Sequence, residues 1–194
     1  MALILVLGLS GVGKTFVCSK AVDILKRSKK SFEIVNYGDV IGKVMNKDPD
    51  LFRAITNKKE YSKIQLKAAK RIVRDYKNKN ILLTTHGIMD TRYGLVFGVP
   101  PRVLKILNPD LILVLWMSPN KIFAHVKKYK GRGNRKFREE FNLEHIKLMQ
   151  ELEKSVSITY GFANDCPVKF VENIEGRVDE VSKEISNSIL EIIK

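Results

Sequence analysis

Gly8, Gly13, Lys14 and Thr15 fall in the spacing G-x-x-x-x-G-K-[ST], within the run Gly8-Leu9-Ser10-Gly11-Val12-Gly13-Lys14-Thr15. Each fixed position has a chemical reason. Glycines let the main chain double back so that its N–H groups surround an anion at a helix N-terminus. The lysine adds a mobile positive charge for β- and γ-phosphates, and the threonine hydroxyl is placed to ligate Mg2+. The bland alternative is a glycine turn with Lys14 solvated, and the flanking residues argue against it. Leu3-Ile4-Leu5-Val6-Leu7 reads as a strand buried on both faces, and Phe16, Val17, Val22, Ile24 and Leu25 as apolar helix positions. Strand, loop and helix in that order make residues 8–15 a loop for a nucleoside triphosphate.

The elements that position this loop repeat the same alternation. Further apolar segments at Phe32-Glu33-Ile34-Val35, Ile81 to Thr85, Leu111 to Trp116 and Val168 to Val171 read as strands, five in all with the first. A helical excursion spans Val40 to Thr56, broken near Asp48-Pro49. From Tyr61 to Tyr76 the apolar residues Tyr61, Ile64, Ala68, Ile72 and Tyr76 recur at helical spacing, with Lys63, Lys67, Lys70, Arg74 and Lys77 on the other side. That basic side reads as a solvated face in preference to a nucleic-acid groove. Gly87 to Pro101 reads as a loop, and Pro119 starts a helix to about Lys130. A long helix after Arg138 shows Phe141, Leu148, Leu152 and Val156 on one side, and Val178, Val181, Ile185, Ile189 and Ile192 mark the last helix. The predicted fold is α/β: a five-stranded parallel sheet in a three-layer P-loop domain, with ligands at the carboxyl ends of the strands. The predicted domain is single, 1–194, with insertions near 39–76 and 127–138.

The 194 residues suit one domain with a substantial core, and 44% hydrophobic with 29% charged residues suits a globular protein. No apolar run approaches a bilayer's thickness, and Met1 leads straight into a strand, so neither membrane span nor leader is expected. The cysteines Cys18 and Cys166 suggest buried thiols in a reducing, cytoplasmic setting, without excluding a disulfide. The net charge of +14 fits a polyanionic nucleotide, a nucleic-acid surface or lysine enrichment alone.

With the strand ends identified, the chain resembles the archaeal-type adenylate kinase family over nearly its whole length. GLSGVGKT is similar to that family's phosphate loop, and Asn36-Tyr37-Gly38-Asp39 to its N-Y-G-D segment. Asp48 to Arg53 resembles a segment ending in a substrate-facing arginine, and Gln65 to Lys70 a Q-x-x-A-A-K helix. Thr85-His86, Gly94 and Gly98-Val99-Pro100 resemble its T-H … G-x-x-x-G-x-P loop; Asn108-Pro109 and Asn173-Ile174-Glu175-Gly176 also match in kind. The resemblance implies transfer of the γ-phosphoryl group of ATP to AMP, with Mg2+, in a protein that is often a homotrimer. It implies Lys14, Arg132 and Arg135 as catalytic cations, the arginines closing a basic lid over the phosphates. Residues 8–15 would bind ATP; Tyr37, Asp39, Arg53, Gln65 and Arg92 would serve AMP. Arg53 and Arg92 suit its phosphate, and Gln65 would read its base. Thr15, and Asp39 through water, would hold the metal. Asp39 also suits a helix N-cap, and His86 reads as a structural histidine in preference to a base, since phosphoryl transfer needs alignment and charge neutralisation.

The chain departs from the family in its Gly94-Leu95-Val96-Phe97-Gly98-Val99-Pro100 loop, where the family has G-Y-L-P-G-L-P, and at four charged positions. Thr84 stands for an aspartate that holds Mg2+, Asp90 for a basic residue, Trp116 for an acidic one and His125 for a basic-segment arginine. Loss of one such group can cost orders of magnitude in rate. Two further readings therefore stand beside adenylate phosphotransfer: a weakened nucleotide-binding factor for RNA or ribosomes, and a kinase for another monophosphate.

Overall fold

The computed structural model describes residues 1–55, 57–91, 94–128 and 142–193. Five parallel strands form the central sheet: β1 (Leu3–Leu7), β2 (Phe32–Asn36), β3 (Asn80–Thr84), β6 (Leu111–Trp116) and β7 (Val168–Glu172). Their order is β2-β3-β1-β6-β7, with β1 in the middle. A separate antiparallel hairpin pairs β4 (Ile88–Thr91) with β5 (Gly94–Phe97). The hairpin lies in the stretch Gly87–Pro101 that the sequence presents as a loop. Its strands are four residues each, too short for alternation to announce them.

Among the described residues, seven α-helices surround the sheet: α1 (Lys14–Arg27), α2 (Tyr37–Met45), α3 (Lys58–Asp75), α4 (Pro101–Leu107), α5 (Pro119–Lys128), α6 (Leu143–Ala163) and α7 (Val178–Ile192). Asparagine side chains begin three of them. Asn36 accepts from the Asp39 amide at the start of α2, Asn57 from Lys59 and Glu60 at α3, and Asn142 from His145 at α6. Asp39 is therefore not the N-cap of its helix. The expected break at Asp48-Pro49 is a new start: Pro49–Ala54 forms a short 3-10 helix whose first turn Asp48 caps.

Strand geometry divides the core in two. Successive side chains of β1 point to opposite faces. Ile4 and Val6 pack with Val17, Ala21 and Leu25 of α1 and Val181, Ile185 and Ile189 of α7. Leu3, Leu5 and Leu7 pack with Ala68 and Ile72 of α3 and Val103 and Leu104 of α4. All three β1 leucines are at most 1% exposed, so truncating one to alanine should cost about 2–5 kcal/mol. Serines let α1 and α7 approach closely, with Ser182 and Ser186 donating to the carbonyls of Val17 and Ala21 at 3.2 and 3.1 Å.

The buried side of α6 is not the one its largest aliphatics suggest. Leu148 is 56% exposed, and the inward stripe is Ile146, Met149, Gln150, Glu153, Ser157 and Tyr160. Polar residues occupy that stripe because the loops above the sheet need hydrogen-bond partners there. The basic side of α3 faces solvent as expected, with Lys63, Lys67, Lys70, Arg74 and Lys77 all exposed. Cys18 and Cys166 are free thiols. No helix among the described residues is long and apolar enough to cross a membrane.

Candidate active site

The carboxyl ends of β1, β2, β3, β6 and β7 open into one cleft of about 1020 Å3. That is the upper end of the range for a single small ligand, and room for more than one. Residues 8–15 form one wall. The main chain turns through positive φ at Gly8, Gly11 and Gly13, at 146°, 92° and 85°. A side chain at Gly8 would sit 2.4 Å from the Leu115 carbonyl oxygen, and one at Gly13 would meet the Asn173 amide nitrogen at 2.6 Å. Both positions therefore require glycine. No side chain caps α1, which leaves its N-terminal turn facing the cleft, as a phosphate-binding helix start needs.

Lys14 Nζ donates to the carbonyls of Gly8 and Leu9 at 2.5 and 3.0 Å, folded over its own loop. Thr15 is exposed on the cleft, and Asp39 lines the cleft from the first turn of α2. Among the described residues no group of three or more His, Cys, Asp or Glu side chains could enclose a metal. This donor set fits Mg2+ in the form it takes with nucleotides, where phosphate oxygens and water supply most ligands and the protein adds one or two. Thr84 also lines the cleft but has no charge to offer a metal. It is 3% exposed, and its hydroxyl donates to the Val35 carbonyl at 3.4 Å.

Arg53 lines the same cleft, and its Nη1 donates to the Asp90 main-chain carbonyl at 3.2 Å. Burial lowers its pKa, opposed by the carboxylates of Asp50 and Asp90 and by Tyr61. The Asp90 side chain meets His145 Nε2 at 3.3 Å, so the hairpin is tied to α6 and carries the arginine's anchor. His86 lines the cleft, and its Nε2 lies 3.5 Å from Ser10 Oγ of the phosphate loop. His125 Nδ1 lies 2.9 Å from the Gly11 carbonyl, and its Nε2 is 3.7 Å from Glu175. Trp116 supports a cation-π contact from Lys154 at 4.8 Å.

Gln65, expected to read a base, points into the protein in this structure. It is wholly buried and absent from the cleft wall. Its carbonyl oxygen accepts from the Tyr37 hydroxyl, and its amide donates to Tyr61 Oη at 3.2 Å and to the Gly98 carbonyl at 3.1 Å. Those bonds use its donors and its acceptor inside the protein, bracing α3 against the loop after the hairpin. Tyr37 also borders the cleft, and its hydroxyl turns inward to Gln65. Burial pushes the Tyr37 phenol well above its ordinary pKa, with Tyr61 and Tyr160 adding to the rise. Arg92, Arg132 and Arg135 lie outside the described residues.

Three further residues contribute, and of these only Asn173 lies in a segment matched by motif. Asn173 Nδ2 donates to the Val12 carbonyl at 2.7 Å, and its own amide donates to the Trp116 carbonyl at 2.8 Å. Phe16 reads as a core residue but is 60% exposed on the cleft wall. Glu153, on the inward stripe of α6, accepts the main-chain N–H groups of Gly8, Gly87 and Ile88 at 2.8, 2.7 and 3.0 Å. The only sequence signal for Glu153 is an acidic residue in phase with Ile146, Met149 and Tyr160.

A family model described as an AAA domain matches residues 7–147. An adenylate kinase of Pyrococcus horikoshii is 29% identical over 98% of this chain and 94% of its own. One of Methanococcus vannielii is 29% identical over 94% of this chain and 95% of its own. Among solved structures, shikimate kinase of Bacteroides thetaiotaomicron superposes with a TM-score of 0.61 at 13% identity, covering 98% of both chains. The shikimate kinase of Acinetobacter baumannii gives 0.59 at 15%, covering 98% of this chain and 94% of its own. At such identities these two structures establish the shared fold.

Proposed function

The chain belongs to the AAA-domain family, and on that footing we propose that it is a nucleoside monophosphate kinase of the adenylate type, converting ATP and AMP into two ADP. One observation carries the reading: the phosphate loop with Lys14 and the guanidinium of Arg53 line a single cleft large enough for two nucleotides. The relatives named adenylate kinase match along nearly the entire chain.

In the reaction an AMP phosphate oxygen attacks the γ-phosphorus of ATP. The bond from that phosphorus to the β-bridging oxygen breaks, and its electron pair stays on the departing ADP. Residues 8–15 hold the ATP phosphates through main-chain N–H groups, and Lys14 leaves its carbonyl partners for the anionic oxygens. Arg53 holds the AMP phosphate by paired, charge-assisted hydrogen bonds. Thr15, and Asp39 through water, would hold Mg2+, which when bound neutralises charge on the phosphate oxygens. No general base is required of His86.

A coupled assay with ATP, AMP and Mg2+ tests the proposal, with Lys14→Ala as control. ADP formation at least about a hundredfold above the control is expected. Equal rates in the two would remove the reading. The inward-facing Gln65 favours one variation: a monophosphate other than AMP as acceptor. A panel of nucleoside monophosphates tested with ATP distinguishes the two.

A further inference from the structure

Among the described residues Glu153 is the only buried carboxylate, at 2% exposure. A charge-bearing group in that position is costly unless it is well hydrogen-bonded. Its three hydrogen bonds reach two different loops. Oε1 accepts from both Gly8, which opens the phosphate loop, and Gly87, which follows β3; Oε2 accepts from Ile88, the first residue of the hairpin. Two residues further on, the Asp90 carbonyl holds Arg53. On the other side, the Gly8 carbonyl holds Lys14. One side chain thus connects the anchor of the donor-side cation to the anchor of the acceptor-side cation.

The sheet does not make this connection by itself. β1 and β3 are paired up to Val6 and Thr84, with one further main-chain bond from the Thr85 amide to the Val6 carbonyl at 3.0 Å. Past that point the two chains part, and the carboxylate of α6 spans the gap. The same helix reinforces it: Tyr160 donates to the Gly87 carbonyl at 2.8 Å and accepts from the Val99 amide at 3.2 Å. The Ser157 hydroxyl donates to the Glu153 carbonyl at 2.7 Å.

We propose that Glu153 is a positioning residue that fixes the spacing between the donor and acceptor phosphate sites by clamping the phosphate loop to the start of the β4–β5 hairpin. The inference rests on the phosphotransfer reading above. In-line transfer needs the reacting atoms about 3–3.5 Å apart, and an error of about 1 Å can cost a hundredfold. Each half-site keeps its own ligands without Glu153. A loosened clamp therefore lowers turnover more than it lowers either affinity.

The test is Glu153→Gln. Its carbonyl oxygen can replace Oε1, but its NH2 group then faces the Ile88 N–H, donor against donor. Turnover is measured by the coupled assay, and the dissociation constants of Mg·ATP and of AMP are measured separately by calorimetry. The expected result is a fall in kcat of about tenfold or more with each dissociation constant within about threefold of the parent. A kcat within about threefold of the parent overturns the proposal, as does a parallel loss of both affinities matching the loss of kcat. If the glutamine variant does not fold, Glu153→Asp decides by the same criteria. Its carboxylate stops one methylene short of the Gly8, Gly87 and Ile88 N–H groups and loosens the clamp without reversing a hydrogen bond. A parent inactive with every monophosphate overturns the kinase reading and this inference together; an active parent with unaffected variants overturns this inference alone.

Discussion

Asn173 at the end of β7 donates its side-chain amide to the Val12 carbonyl at 2.7 Å, and so holds the phosphate loop from the far edge of the sheet. Removing the amide leaves a buried carbonyl without its partner, a loss of about 1–3 kcal/mol. Asn173→Ala should therefore lower the urea midpoint and weaken Mg·ATP binding, while AMP binding stays close to the parent's. Calorimetry with each nucleotide checks the asymmetry; equal weakening of both would place Asn173 in general stability instead.

Arg53 lines the cleft with its guanidinium donating to the Asp90 carbonyl. Lysine cannot reproduce a planar, two-pronged grip on a phosphate. Arg53→Lys should raise the KM for the monophosphate about tenfold or more and leave that for ATP nearly unchanged, a loss in the range of a charge-assisted hydrogen bond. Steady-state kinetics with one nucleotide varied at a time distinguishes this from a shared effect.

The thiols should be silent in the folded protein. Cys18 has no exposed surface, and burial pushes its pKa up to about 12 against the opposing charge of Lys14. Cys166 is 8% exposed, with burial and the nearby Asp110 pushing its pKa to about 11. A disulfide-exchange reagent at pH 8 should titrate neither thiol within minutes in native protein and both in denaturant. Rapid native reaction of Cys18 would contradict its packing beneath the phosphate loop.

Glu153 gives stability a definite dependence on pH. Burial raises its pKa in the folded state, opposed by the amides of Gly87 and Ile88, Lys14 and the Gly8 amide. An unfolded glutamate titrates near 4.3. Between the two values the folded chain holds more protons, so this group's contribution is complete below about pH 4.3 and is lost as pH rises through the folded value. The stability of the parent relative to Glu153→Gln should fall as pH climbs from about 4 through that raised value. Urea midpoints of both proteins across this window would show it, and a relative stability rising with pH would mean that the three amides outweigh desolvation.

The phosphate loop and the five strands were legible because each is a local pattern: fixed glycines in one case, unbroken apolar runs in the other. Arg53 was legible as a cleft residue through the segment that carries it. The Gln65 amide was not, because one glutamine on a helix looks the same whether it faces a ligand or a tyrosine. Its partners Tyr37 and Gly98 lie 28 and 33 residues away, beyond any local signal. Phe16 misled for the opposite reason, since an aromatic in phase with a helix's apolar positions reads as core while the first turn of α1 faces the cleft. Leu148 misled in the same way, because the inward side of α6 is chosen by loops that need hydrogen-bond acceptors.

The central place of β1, flanked by β3 and β6, has a consequence for how this protein can change. Where the crevice opens is dictated by the winding of the chain. Which nucleotide it accepts is dictated by a handful of side chains on separate connections. Substitutions at the rim can therefore retune preference in descendants while the crevice stays put, and an ancestor with different chemistry could have been built on the same winding.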